Sequence, residues 1–225
     1  VYNIHAERSA GWSGLAFLAT VIVASLLYGG APPPINSSAA TIAAFLNAHH
    51  QIALVGNWLS VPASVFFLWF AVGVRAHLVR APGSADGLPL YAISGAIVSV
   101  ASALMSAAVL GVLLLTAVPV DDLPGWWGFY MLLGGPILMA GTAVFVYAAA
   151  NSMRRHGSAS QGLAMYGYLA AFGAAVSTLS LFFAAGPMSA TGWVPIVLGL
   201  GLFAIWVIAT SIWLIRSSGE PAAVS

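Results

Sequence analysis

Hydrophobic positions in this chain run on rather than alternate with polar ones. Residues 9–48, 51–74, 87–120, 123–153 and 157–219 contain no Asp, Glu, Lys, Arg or His, apart from Arg216. A hydrocarbon core takes about 20 apolar residues of helix to cross. The runs therefore divide into six predicted spans: Gly11–Gly29, Ile52–Val74, Leu90–Ala117, Trp126–Ala150, Gly162–Ala185 and Trp193–Ile215. Helix is the required conformation, because lipid offers no partner to an unsatisfied backbone group. Each break has a cause. Pro32-Pro33-Pro34 and Ala81-Pro82-Gly83 stop helices, Pro119 and Pro124 bracket Asp121-Asp122, and Gly186-Pro187 separates the last two spans. The resulting expectation is an all-α polytopic bundle, residues 1–225 forming a single six-helix transmembrane domain.

Charge fixes the direction. Lysine is absent, and the six basic side chains are Arg8, Arg75, Arg80, Arg154, Arg155 and Arg216. With six spans all of them fall on one side, and five or seven spans would scatter them. The positive-inside rule makes that side cytoplasmic, places both termini there, and predicts a multi-pass protein of the inner (plasma) membrane. Arg8 followed by an apolar run also fits a signal peptide, but the segment is retained here as a true span.

Composition narrows the function classes. Of 225 residues, 61% are hydrophobic and 5% charged, where a soluble domain carries about a quarter charged residues. Disorder, nucleic-acid binding and a disulfide scaffold are excluded, the last because cysteine is absent. Partners are then the lipid bilayer and other membrane subunits or a second copy of the chain.

The connection 30–51 is the longest outer loop. Ser37 or Ser38 can cap a short extracytoplasmic interfacial helix whose Ile42, Phe45, Leu46 and His49 share a face. Trp12, Trp126, Trp127, Trp193 and Trp213 stand at predicted span ends, as headgroup anchors do. Trp58, beside Asn57 and Ser60, is expected to face the bundle, since its indole N–H needs a partner. Ser99, Ser102 and Ser106 stripe one face of the third span, a surface suited to close helix packing. Pro62 and Pro136 lie inside spans and predict kinks.

Candidate chemistry is sparse. No ionisable residue falls within a predicted membrane core, which argues against proton relays, voltage sensing and ion-coupled transport. No serine-hydrolase elbow, His-Glu-x-x-His or phosphate loop is present. His49, His50, Asp121 and Asp122 share the outer face, and His49 with Asp121 and Asp122 is the candidate divalent-metal site. No other cofactor is expected. A ligand pocket, if formed, is expected at Asn57, Trp58, Ser60 and Pro62, with Ser102 and Ser106 opposite.

Three segments carry a family resemblance. "Ser-Ala-Gly-Trp-Ser-Gly-Leu-Ala-Phe" opening span one, "Phe-Leu-Asn-Ala-His-His" before span two and "Trp-Val-Ile-Ala-Thr-Ser-Ile-Trp-Leu-Ile-Arg" at the end are similar to an uncharacterised six-helix integral membrane family common in actinobacteria. That family is a domain of unknown function, so the resemblance implies topology and no catalytic residues. The leading functional expectation is a non-catalytic membrane protein that serves as a complex subunit or binds a lipid or apolar small molecule within its bundle. The alternatives are a facilitative channel or carrier for a small neutral solute, and a metal-dependent membrane enzyme using the outer His/Asp site.

Overall fold

The computed structural model describes residues 4–27, 32–80 and 87–217, with side chains from Glu7 onward. The expected ends of the first span at Gly29 and of the second at Ala81-Pro82-Gly83 lie outside the described residues. Among those described there is no strand, and six helical segments are long and apolar enough to cross a membrane. The protein is an all-α, multi-pass membrane bundle.

The segments are α1 (Ile4–Leu27), α2 (Ala39–Arg80), α3 (Leu88–Leu115), α4 (Leu123–Leu132) continuing through a π turn into α5 (Leu138–His156), α6 (Gln161–Ser177), and α7 (Leu202–Ser217), itself entered by a π turn over Pro195–Gly201. Each span packs on its neighbours in sequence, and α7 closes back on α1, giving a ring of six crossings. Glu7 at the start of α1 meets Arg80 at the end of α2, and Gly11 lies against Ile215 near the end of α7. Helix direction then gathers Arg8, Arg75, Arg80, Arg154, Arg155 and Arg216 at one end of the ring, the arginine-bearing end.

The expected short outer helix is not a separate element. It forms the opening turns of α2, which runs unbroken for 42 residues, about 63 Å at 1.5 Å per residue and about twice the hydrocarbon thickness. The Ser38 hydroxyl accepts the Thr41 N–H at 3.3 Å and so caps the start. Between Ser38 and Pro62 the chain holds no proline and a single glycine, Gly56, so nothing stops the helix at the membrane surface. Its first turns bury Ile42 and Leu46 against Leu110, Leu113, Leu123 and Trp127, a small apolar core at the outer end.

Trp127 therefore belongs to that core and is not a headgroup anchor. It is 1% exposed, and its indole N–H donates to the Pro33 carbonyl at 3.1 Å. Trp12, Trp126 and Trp193 remain exposed near helix ends, as anchoring requires. The main core lies toward the arginine-bearing end. There Phe70, Phe145 and Trp206 are fully buried and pack edge to face with centroids 5.5–6.3 Å apart.

Glu7 was not among the sequence candidates, yet it is the buried charge of the described residues, 6% exposed. It pairs with Arg80, and its Oε1 lies 3.2 Å from His77 Nδ1. His77 in turn packs edge-on to Trp213 at 4.4 Å, so one carboxylate ties α1 to α2 and, through His77, to α7. Removing one partner of a buried pair destabilises more than making the pair stabilises. Arg80 is a third exposed, which screens the effect. Arg80→Gln is expected to cost about 1–2 kcal/mol, read as a lower thermal unfolding midpoint in detergent.

Candidate functional site

Between the two cores lies a cavity of about 360 Å³, within the size range of small-molecule pockets. Its walls come from the outer half of α1, the middle of α2 and α3, the junction of α4 with α5, and the entry of α7. All of these stretches lie within the membrane-spanning segments.

Two of the crossings that wall the cavity carry a π turn, over Leu133–Ile137 and over Pro195–Gly201. Pro136 brings no N–H, and the helix widens into a π turn over Leu133–Ile137. The serine stripe of α3 answers this defect. Ser102 Oγ donates to the Leu133 carbonyl at 2.6 Å and Ser106 Oγ to the Tyr130 carbonyl at 3.0 Å. Ser99 Oγ reaches the Leu138 carbonyl at 3.2 Å and lies 3.1 Å from Thr142 Oγ1. The stripe thus splints the broken helix. Ser102→Ala strands the Leu133 carbonyl among buried groups and is expected to cost about 1 kcal/mol, measured by thermal unfolding.

On α2, Pro62 plays the smaller part. Ser60 Oγ donates to the Asn57 carbonyl at 2.5 Å and Ser64 Oγ to the Ser60 carbonyl at 2.7 Å, so both hydroxyls turn back onto their own helix. Asn57 Nδ2 crosses to α3 and donates to the Ala107 carbonyl at 3.0 Å. An amide has two N–H donors and one oxygen acceptor, so Asn57 keeps a donor and its oxygen for a guest. The serine and threonine hydroxyls on the wall already donate to carbonyls, and among the described residues no Asp, Glu, Lys, Arg or His lines it.

An aromatic floor closes the cavity toward the arginine-bearing end. Phe17, Phe67 and Phe203 line it, and their centroids lie 5.0–6.2 Å from one another. Phe67 also packs edge-on to Phe145 at 5.5 Å, which joins the floor to the buried aromatic core beneath. No sequence signal marks these rings, because a phenylalanine in an apolar span reads alike whether it faces inward or lipid.

Of the expected ligand residues, Asn57, Ser60 and Ser106 line the cavity. Trp58 does not: it is 66% exposed on the membrane-facing side of α2. Pro62 and Ser102 do not line it, the latter being buried on the Leu133 carbonyl. The outer metal candidates are not assembled. His49 Nδ1 lies 3.0 Å from the Phe45 carbonyl and His50 Nε2 2.9 Å from the Leu114 carbonyl. Asp121 and Asp122 stand exposed on the turn before α4. Among the described residues no three His, Asp or Glu side chains converge as a metal site needs.

In comparisons with known proteins, no family model, no curated protein and no solved structure matches the chain.

Proposed function

We propose that the protein is a non-catalytic membrane protein that holds an apolar small molecule or a single lipid chain in the cavity within its bundle. The observation that carries this reading is an intramembrane cavity walled by apolar groups, closed below by Phe17, Phe67 and Phe203, and offering one amide, Asn57, with hydrogen-bonding capacity to spare. Such a site favours a mostly apolar guest with one polar atom to orient it. The positive-inside rule supports placing the arginine-bearing end in the cytoplasm, with both termini there, in the plasma membrane. The family resemblance described above supports the same topology.

A neutral-solute channel needs a continuous polar path, and the aromatic floor interrupts it. Flux into proteoliposomes separates the two readings. Glycerol entry no faster than in protein-free vesicles is the expected result. Entry that is faster and is abolished by Asn57→Leu would replace the pocket with a pore.

A further inference from the structure

The central cavity has a gap in its side. Toward the arginine-bearing end α1 is sealed against α7: Gly11 lies on Ile215 and Gly14 on Ser211, and Ala10, Ser13 and Leu18 are buried. Beyond Leu18 the two helices part. From Ala19 to Leu27 no residue of α1 is buried, although Val21, Ala24 and Ser25 line the cavity. The π turn that opens α7 packs on α6 far more than on α1. A Cβ at Gly173 of α6 would strike the Leu198 carbonyl, and one at Gly199 would strike Ser177 of α6, so close main-chain packing commits that turn to α6. Leu200, in the same turn, lines the cavity and is also exposed, which marks it as the opposite lip.

We infer that the guest is the acyl chain of a lipid from the leaflet away from the arginines, entering through this gap and lying with its ester end at Asn57 and its methyl end on the aromatic floor. This rests on the pocket reading given above and adds the guest's class, route and direction.

Depth supports the class. From Asn57 to Phe67 along α2 is about 15 Å at 1.5 Å per residue, half of the roughly 30 Å hydrocarbon thickness. A cavity of that height takes the chain of one leaflet and stops it at the floor. The gap lies within the membrane-spanning segments, so a molecule that passes it is already dissolved in the bilayer.

Polarity supports the direction. Asn57 gives one N–H to the Ala107 carbonyl and keeps a second, which an ester carbonyl can accept. The floor of Phe17, Phe67 and Phe203 offers no polar group and suits a methyl end. A lipid of the arginine-side leaflet would have to set its ester against those rings and cross where α1 is sealed on α7.

The test is photolabelling of the full-length protein reconstituted in phosphatidylcholine that carries a diazirine either near the ester or near the methyl end of one chain. Peptide mapping by mass spectrometry then reads depth on the inward face of α3. The near-ester probe is expected at Ser106 and Ala107, and the methyl-end probe at Ser99 and Val100. Ala103→Phe is expected to abolish both, whereas Val21→Trp and Leu200→Trp, one on each lip, are expected to reduce both severalfold. The depth order is read in the natural protein, so it stands even if a lip variant misfolds. A reversed order, or both probes at both depths alike, would overturn the direction. Undiminished labelling in both lip variants would overturn the route. No cavity labelling, with a bound molecule still leaving the membrane with the natural protein, would overturn the lipid and keep the pocket. Neither labelling nor a bound molecule would end the pocket reading as well.

Discussion

Phe67→Ala is expected to lower stability by about 3–5 kcal/mol, the range for truncating a buried aromatic ring, and to enlarge the cavity toward the arginine-bearing end. The ring is 5% exposed and touches Phe17, Phe145 and Phe203. Its loss removes three edge or tilted ring contacts at once, and the surrounding crossings cannot collapse to fill the gap. Phe17 belongs to α1, Phe145 to α5 and Phe203 to α7, each held elsewhere along its length. Thermal unfolding in detergent measures the loss. Phe67→Leu, which restores most of the volume without the ring, is expected to recover over half of it. A drop of under about 1 kcal/mol in Phe67→Ala would mean that the floor is not packed as described.

Gly95→Leu carries the second large effect. At Gly95 a Cβ would stand 2.5 Å from the Phe145 nitrogen and 2.7 Å from the Gly141 carbonyl, and at Gly141 a Cβ would stand 2.7 Å from the Gly95 carbonyl. The backbones of α3 and α5 therefore touch at this crossing, as small residues permit. A leucine cannot relieve the clash by rotating, since the obstacle is main chain. The two helices must separate, and the Ser99 and Ser102 hydrogen bonds to Leu138 and Leu133 lengthen with them. Overpacking of this kind costs about 3 kcal/mol or more, expected as loss of a monodisperse peak in size-exclusion chromatography. Gly162→Leu is the matched control. That glycine has open space around its Cβ position, and the substitution is expected to leave the elution profile intact.

The number of crossings was legible in the sequence because hydropathy and arginine placement are constrained independently and agree on six. Helix ends were less legible. Hydropathy locates the hydrocarbon, whereas α2 ends where a breaker or cap occurs, so the segment after Ser38 reads as a separate helix only if His49-His50 is taken as a boundary. Orientation of adjacent residues was ambiguous for a geometric reason. Asn57 and Trp58 sit about 100° apart on a helix, and only one can face inward. The amide takes that place because it desolvates at greater cost than an indole resting on lipid. Trp126 and Trp127 divide in the same way, the latter finding the Pro33 carbonyl.

In the site, Asn57, Ser60 and Ser106 stood out as polar residues in apolar runs. The serine stripe reads locally as a packing surface; its hydrogen bonds to the π turn depend on a partner helix that no local pattern reveals. The Glu7 tie was invisible for the same reason, since His77 and Arg80 lie about 70 residues away in the chain and only the closed ring of helices brings them together.

The most direct measurement of the central claim is native mass spectrometry of the protein released from its own membranes, compared with Ala103→Phe. Ala103 lines the cavity, and the larger ring occupies the space a guest would use. The account predicts one apolar molecule bound per chain in the natural protein, absent from the variant and identified after solvent extraction. An identical bound mass in both proteins, or none in either, would contradict it.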